Sequence, residues 1–422
     1  MAGLGTVGGG VVKLLSEHKD LLAQRAGRPI VLAGVSALDV PKTLEAQLKG
    51  IPFHQDARKL AVSGDIDVMV ELIGGAEGIA KQIAEATLGA GKSLVTANKA
   101  LIAKHGVALA RLALEKGVSL QFEASVAGGI PILKAIREGL AANQFTRVYG
   151  ILNGTCNFIL TGMEQSKRDF ADVLAEAQKL GYAEADPAAD VDGHDAANKL
   201  AILTSLAFGT PVSLESIYVE GIRNVSAIDI AFAEELGYRI KLLAIARRTE
   251  HGLEQRVHPC MVDRETPVAQ VMGVLNAVVA EGDYVGRTVF EGPGAGEKPT
   301  ASAVVSDLLD IARGRTSPPF AVPVSQLTPM RAASMEDHFG AYYVRLIVVD
   351  VPGVLADVAQ IFAAEEVSIE SVLQRGRAPG ENVALILTTH ECREAAMTRV
   401  RARLEKLKAV VEKPAFIRIE EL

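Results

Sequence analysis

Five carboxylates and one lysine fall between Gly181 and Lys199, in the run GYAEADPAADVDGHDAANK. Side chains of these types can orient a polar substrate and move a proton when carboxylate and ammonium are held together out of bulk water. Pro187 and Gly193 punctuate a loop, and the following DAANKLAILTSLAF has the apolar spacing of a buried helix. Asp195 and Lys199 therefore share one helical face. Glu184, Asp186, Asp190 and Asp192 sit on the loop that feeds this helix, so several acids are expected to converge near one ammonium. The plainer reading is a solvated acidic loop with an ordinary surface ion pair. The apolar run KLAILTSLAF argues against it, because so hydrophobic a helix is mostly buried and places Lys199 at the edge of a core.

The elements ahead of this stretch alternate. DIDVMVEL, SLVTA and VSLQFEAS read as strands, and AEGIAKQIAEATLGAG and ALIAKHGVALARLALEKG as the helices between them. Such alternation predicts an α/β fold with a parallel, doubly wound sheet. Before it stands Gly3-Leu4-Gly5-Thr6-Val7-Gly8, followed by the helical GGVVKLLSEHKDLLAQR. This is GxGxxG opening a helix, whose glycines let a pyrophosphate approach the backbone at the positive helix N-terminus. Only Met1 and Ala2 precede Gly3, so the central strand that normally leads into this turn is expected to be missing, as from a truncated or misassigned start. At the end of the second expected strand, VLAGVSALDV, Ser36-Ala37-Leu38 leaves neither an acid for a ribose nor an arginine for a 2′-phosphate, and NAD against NADP stays open.

Residues 128–291 mix helices with the strands FTRVYGIL, YRIKLLAIARR and LEQRVHPCMV, and read as an α+β catalytic and oligomerisation domain. The glycine cluster Gly292-Pro293-Gly294-Ala295-Gly296 precedes PTASAVVSDLLDIARG, a helix expected to return to the first domain. Its glycines either turn backbone amides toward a cofactor or make a plain interdomain turn. The division is thus 1–127 with a return segment 292–316, then 128–291, a Pro-rich linker 317–340, and a last unit 341–422. That unit runs YYVRLIVVD, GVLADVAQIFAAEE, SIESVLQRG, NVALILTT, CREAAMTRVRARLEKLK and AFIRIEE, the β-α-β-β-α-β order of a ferredoxin-like fold. It holds no catalytic constellation and reads as a binding or regulatory module, or as a structural extension.

Composition bounds the rest. The chain has 422 residues, a net charge of −7, no Trp and no Lys/Arg run, which excludes a nucleic-acid or anionic-membrane partner. No segment approaches twenty uninterrupted apolar residues, and the N-terminus is glycine-rich rather than basic, so a soluble, unexported protein is expected. Cys156, Cys260 and Cys392 form neither a paired framework nor a metal-ligand spacing, which fits a reducing cytoplasm.

The pattern from Ala177 through Gly181-Tyr182-Ala183, Asp186-Pro187, Asp190-Val191, Gly193 and Asp195 to Lys199 resembles homoserine dehydrogenase closely. So do FEASVAGGIPIL at 122–133, GILNGTCNFIL at 150–160, the GPGAG turn, and a tail similar to an ACT domain with Asp350-Val351-Pro352-Gly353-Val354-Leu355. The likeness spans essentially the whole chain; the absent first strand and Leu38 are its departures. It implies a Rossmann-type dinucleotide-binding domain with its first strand truncated, a catalytic and dimerisation domain, and a ferredoxin-like ACT domain. The activity implied is reversible reduction of aspartate 4-semialdehyde to L-homoserine with NADP or NAD, on the route to threonine and methionine.

Site roles follow from the same resemblance. Hydride delivery to an aldehyde builds negative charge on its oxygen, and Lys199 is the expected general acid. Asp190 and Asp195 match positions that orient substrate and lysine, and Glu184 one that binds the α-ammonium of homoserine. Lys99 matches a second lysine between cofactor and substrate, or else is a solvated lysine at a helix start. Gly3, Gly5, Thr6, Val7, Gly8, Thr96, Asn98 and Gly296 are the expected cofactor contacts. Glu123, with the backbone of Val126, Gly128 and Ile130, matches a monovalent-cation site, usually sodium; a buried, hydrogen-bonded Glu123 is an equally fair account of the residues themselves. A homodimer or homotetramer and an amino-acid effector, threonine, at the ACT domain are also implied.

Two rivals stand beside this reading. A nucleophilic Cys156 would make an acyl-forming semialdehyde dehydrogenase, but no histidine accompanies it, and it opens an apolar helix where a small buried residue is expected. His194 reads as a hydrogen-bonded bystander rather than an acid. From another class, a catalytically inactive Rossmann/ACT amino-acid-sensing protein would keep the fold without the chemistry; intact Lys99, Asp195 and Lys199 speak against it, and the missing strand for it.

Overall fold

The structure, a computed structural model, describes residues 1–375 and 380–422. Its N-terminal layer is built on three parallel strands in the order β1 (Val68–Glu71), β2 (Ser93–Thr96) and β3 (Leu120–Gln121). Around them lie α1 (Thr6–Glu17), α2 (Ile79–Gly89) and α3 (Lys99–Lys116). The strands are buried over consecutive residues because helices cover both faces. Met1 and Ala2 lie where a central strand would run. Ala2 bridges Glu71 on one side and Ser36 on the other, both in parallel sense.

Two expected strands come out shorter. In VLAGVSALDV only Val35 and Ser36 make bridges, to Phe53 and Ala2. A ladder extends no further than its partner, and on one side only Met1 to Gly3 offer backbone groups to this segment. VSLQFEAS ends as a strand at Gln121, and Glu123–Ser125 wind into a 3₁₀ turn.

A larger mixed sheet carries the middle of the chain. In chain order it contributes β4 (Phe145–Ile151), α4 (Gly154–Ser166), α5 (His194–Phe208), β5 (Tyr218–Val219) and α6 (Ala227–Glu235). The long hairpin β6 (Tyr238–Thr249) and β7 (Gly252–Asp263) follows, then β8 (Leu275–Gly282) and β9 (Gly286–Pro293). β8 and β9 were not anticipated: β8 is Ala- and Gly-containing and buried almost throughout, so it lacks the alternation that marks a half-buried strand. Helix α7 (Glu297–Ala312) returns to the N-terminal layer and lies along α1. The approach is close enough that a Cβ on Gly10 would sit 2.7 Å from the Glu297 carbonyl oxygen.

The C-terminal unit has the expected order: β10 (Phe339–Val349), α8 (Val354–Ala364), β11 (Ile369–Gln374), β12 (Asn382–Thr389), α9 (Glu394–Leu404) and β13 (Ala415–Glu420). Gly376, the last residue of the expected strand SIESVLQRG, lies outside the described residues. This unit is not a separate bead. β13 pairs in parallel with β7, Arg418 opposite Cys260, so its sheet continues the central one as β11-β12-β10-β13-β7-β6-β4-β8-β9. Nor is the stretch 317–340 a free linker. Phe320 is fully buried against Phe122, ring centroids 5.3 Å apart, and Leu253 bonds Arg331 and Ala333 through its backbone. Among the described residues no helix is long and apolar enough to cross a membrane.

Candidate active site

Gly193, with φ of +88°, turns the acidic loop into α5, and Asp195 falls in the first turn of that helix. Unpaired N–H groups there favour an anion. Lys199 follows one turn later; its Nζ donates to Asp195 Oδ2 and to the Leu152 carbonyl oxygen, each at 2.7 Å. Lys99, the first residue of α3, reaches the same carboxylate from the N-terminal layer, with Nζ 3.0 Å from Asp195 Oδ1. It is therefore not a merely solvated lysine. Burial pushes the Asp195 carboxyl up, but the two ammoniums outweigh it and hold the group well below the usual carboxylate range.

Asn153 completes this arrangement and was not singled out from the sequence. Its Oδ1 caps α4 by accepting from the Cys156 N–H at 2.8 Å. Its Nδ2 donates to Asp190 Oδ1 at 2.7 Å and to Asp195 Oδ2 at 2.8 Å. An Asn directly before the helical GTCNFIL run is an N-cap signal, but the use of its amide hydrogens depends on the loop folding back.

The loop's acids do not converge on Lys199 as expected. Asp190 is held by Asn153, and burial raises its carboxyl. Asp192 pairs with Arg223 at 2.5 Å, Asp186 accepts from the Ala188 N–H at 3.1 Å, and Glu184 is exposed, its carbonyl accepting from Gln178. Ala188–Val191 form one helical turn, which swings successive side chains about 100° apart. The convergence is the reverse of the expected one: two ammoniums meet on one carboxylate.

The glycine turn is built for a dinucleotide. Gly3 has φ of +98°, and a Cβ there would lie 2.6 Å from the Leu72 carbonyl oxygen; one on Gly8 would lie 2.1 Å from that of Gly3. Gly5 between them meets nothing within 4 Å, so its backbone is open to a ligand, while Thr6 starts α1 and Val7 is half-buried. The turn borders a crevice of about 760 Å³ with Ser36, Leu38, Asp56 and Arg58 on its walls. On the same carboxyl edge of the sheet, where Ala2 is level with Glu71 and Glu71 with Thr96, Thr96 and Asn98 are already engaged. Thr96 donates to Glu71 Oε2 at 2.6 Å and accepts from the Asn98 N–H; Asn98 caps α3 and donates to the Gly75 carbonyl. Glu71, fully buried and also accepting from Ile73 and Gly74, was missed because nothing in DIDVMVEL separates it from a surface acid. Gly296, with φ of +122°, precedes α7, and the GPGAG turn is clasped to the 127–129 turn through Gly129 N–H and the Pro293 carbonyl.

Glu123 is buried, and each carboxylate oxygen accepts one N–H at 2.9 Å, from Leu133 and Lys134. Burial, and then Asp307 beside it, push this carboxyl up to about 8. The Ile130 carbonyl is taken by the Ile132 N–H. Val126 and Gly128 are buried, and among the described residues no hydrogen bond reaches their carbonyls. Buried carbonyls without a hydrogen-bond partner, on the turn that follows a buried glutamate in the chain, are hard oxygen donors of the type that suits a monovalent cation. Cys156 does not fit a nucleophile: it is fully buried, its thiol donates to the Asp190 carbonyl, and burial pushes it well up. His194 is exposed at the start of α5.

A phosphate-ready glycine turn on a parallel sheet, with a buried carboxylate carrying two ammoniums at the seam to a second layer, defines a nicotinamide-dependent dehydrogenase of the α/β class. Family models described as homoserine dehydrogenase, its NAD-binding domain and the ACT domain match residues 131–309, 3–123 and 342–409. The chain belongs to the homoserine dehydrogenase family. A homoserine dehydrogenase of Pseudomonas aeruginosa is 46% identical over 430 residues, covering 100% of this chain and 98% of the relative. The crystal structure of one from Thiobacillus denitrificans superposes with a TM-score of 0.92 at 45% identity, over 100% of this chain and 97% of that one. A hyperthermophilic archaeal homoserine dehydrogenase solved with NADPH has a TM-score of 0.62 at 27% identity, over 73% and 95%. The chain is thus an NAD(P)-dependent oxidoreductase that interconverts L-aspartate 4-semialdehyde and L-homoserine. The inactive sensor finds no support in these likenesses.

Proposed function

We propose that Lys199 is the proton donor and acceptor of this reaction, with Asp195 and Asn153 holding it in place. The observation that carries this is the donor count at Lys199. An ammonium has three hydrogens; two go to Asp195 and Leu152, and the third is left for the substrate oxygen. When bound, the reduced nicotinamide supplies the hydride. As charge builds on the aldehyde oxygen, the Lys199 ammonium stabilises it and passes its proton. Asp190 orients the substrate through the Asn153 bridge, Glu184 takes its α-ammonium from the exposed loop, and Lys99 supports charge from the cofactor side.

The coenzyme lies along Gly3, Gly5, Thr6, Val7 and Gly8 and reaches Thr96, Asn98 and Gly296. It is NAD or NADP: exposed Leu38 stands in the crevice near Arg58, which Asp56 holds in a bidentate pair. Sodium is held by Glu123 with the carbonyls of Val126 and Gly128, and Ile130 closes the turn. The chain works in the cytoplasm, on the route to threonine and methionine, as a homodimer or homotetramer. The chain divides into 1–127 with the return segment 292–316, 128–291, a packed connecting stretch 317–340, and 341–422, the last unit sensing an amino acid, threonine.

The deciding experiment is homoserine-dependent reduction of NAD and of NADP by the wild type and Lys199→Ala. The variant is expected to lose about 10²–10⁴ in kcat with coenzyme binding kept, the range for a removed general acid. Unchanged turnover would end the assignment.

A further inference from the structure

Glu71 ends β1 at the carboxyl edge of the N-terminal sheet and is fully buried. Other buried carboxylates carry a cation: Asp229 pairs with Arg345, Glu394 with Arg418 and Asp307 with Lys134. Among the described residues Glu71 has only neutral donors. Its Oε1 accepts from the Ile73 and Gly74 N–H groups at 2.8 and 3.0 Å, and its Oε2 from the Thr96 hydroxyl at 2.6 Å. A carboxylate taken out of water costs more free energy than an apolar side chain in the same place, even when its oxygens are satisfied. Stability alone gives no reason for an acid here, so its use lies in what the three hydrogen bonds join.

They join the coenzyme crevice to the turn that carries Lys99. The two N–H groups belong to the loop after β1, where Leu72 and Ile73 line the crevice and Gly74 and Gly75 take φ of +91° and +84°. The hydroxyl belongs to the end of β2, and the Thr96 oxygen in turn accepts the Asn98 N–H at 3.0 Å. Asn98 closes the circuit, its Nδ2 donating to the Gly75 carbonyl at 2.7 Å. The next residue is Lys99, whose ammonium reaches Asp195. We propose that Glu71 is a positioning residue of the dehydrogenase reaction, which registers the Thr96–Asn98 turn against the crevice loop and so brings Lys99 into reach of Asp195. Being fully buried, it acts through Thr96 and Asn98. The proposal rests on reading Lys99 as a support for charge from the coenzyme side. Polarity is the part that only a carboxylate supplies: an acceptor on both oxygens, it draws the single Thr96 hydroxyl hydrogen to itself and leaves a Thr96 lone pair for the Asn98 N–H. In Glu71→Gln the amide oxygen can keep the Ile73 and Gly74 N–H groups, but the nitrogen that replaces Oε2 turns a donor toward the Thr96 hydrogen.

The test is steady-state turnover of homoserine by the full chain, beside thermal melts and direct binding of NADH and NADPH followed by their fluorescence. Glu71→Gln is expected to keep its coenzyme Kd within about threefold of wild type while kcat falls about tenfold or more, because a misplacement of ~1 Å can cost about a hundredfold. Thr96→Val should lose a similar factor in kcat, and the double variant should be little worse than the poorer single one, since both break the same link. Where Glu71→Gln does not fold, Thr96→Ser carries the test: it keeps the hydroxyl and should turn over about fivefold or more faster than Thr96→Val. Wild-type kcat in Glu71→Gln, losses that multiply in the double variant, equal turnover in Thr96→Ser and Thr96→Val, or a kcat loss matched by a weaker coenzyme Kd and a lower melt would each overturn the assignment. Lys99→Ala separates this from the reading beneath it. A kcat loss there with none in Glu71→Gln removes Glu71 alone, and no loss in either variant removes both.

Discussion

Lys99 and Asp195 meet across the seam between the N-terminal layer and the central sheet, Nζ to Oδ1 at 3.0 Å. The placement is not what a helix alone would choose. A cation at a helix N-terminus opposes the helix dipole, whereas Asp195 in the first turn of α5 is favoured by it. Lys99 is therefore held by the carboxylate, and the pair ties the N-terminal layer to the first turn of α5.

Lys99→Ala should consequently damage catalysis far more than stability. Its side chain is 41% exposed, and pairs of that kind are worth about 0–1 kcal/mol to the fold. A melting temperature within a few degrees of wild type is expected, with kcat/KM for homoserine down about a hundredfold and partly restored in Lys99→Arg. Steady-state kinetics beside a thermal melt decide it; an equal loss in both would make Lys99 a structural strut.

Asn153 serves two purposes that one pair of variants separates. Asn153→Ala removes the cap of α4, at a cost of about 1 kcal/mol, together with both amide donors to Asp190 and Asp195. Asn153→Ser keeps a capping oxygen and lacks the two donors. Stability should return in the serine variant while kcat stays at least tenfold low. Recovery of both would show that the cap alone matters.

The glycine turn makes an equally sharp contrast. Alanine at Gly8 would drive its Cβ against the Gly3 carbonyl, so the fold around α1 should fail. Alanine at Gly5 meets nothing in the protein and should leave the melting temperature unchanged, yet raise the coenzyme KM at least tenfold with little change in homoserine KM. A Gly5→Ala enzyme with wild-type coenzyme KM would remove the turn from the binding site.

Much of this architecture is legible in the chain because short-range rules write it. The Asp195–Lys199 spacing, the alternation DIDVMVEL to SLVTA and the β-α-β-β-α-β order of the last unit depend on neighbours a few residues away. What was illegible depends on distant partners. Asn153 reads as a cap, and only the folded loop spends its amide hydrogens. Glu71 reads as a surface acid until Thr96 and two backbone amides close on it. The sequence separates the last unit with a Pro-rich stretch, yet Arg256 forms a buried bidentate pair with Glu420, and Arg418 pairs with Glu394 and Glu220, across and beside the β7–β13 seam. No local pattern announces a strand pairing between units.

Glu123 links the cation assignment to pH. Its folded carboxyl sits at about 8, against an ordinary value of 4.5, so between those limits the folded chain binds more protons than the unfolded one. Stability then falls as pH rises from about 4.5 to 8, and flattens above. A sodium ion beside Glu123 favours the ionised form, lowers its folded pKa and shrinks this slope. With tetramethylammonium as the only cation the melting temperature should decline from pH 5 to pH 8; with sodium the decline should be clearly smaller, and Glu123→Ala should abolish the difference between the two salts. Parallel pH profiles in both salts, or a sodium effect that survives in Glu123→Ala, would leave Glu123 as what its two backbone hydrogen bonds already make it, a buried cap on the segment that starts at Ile132.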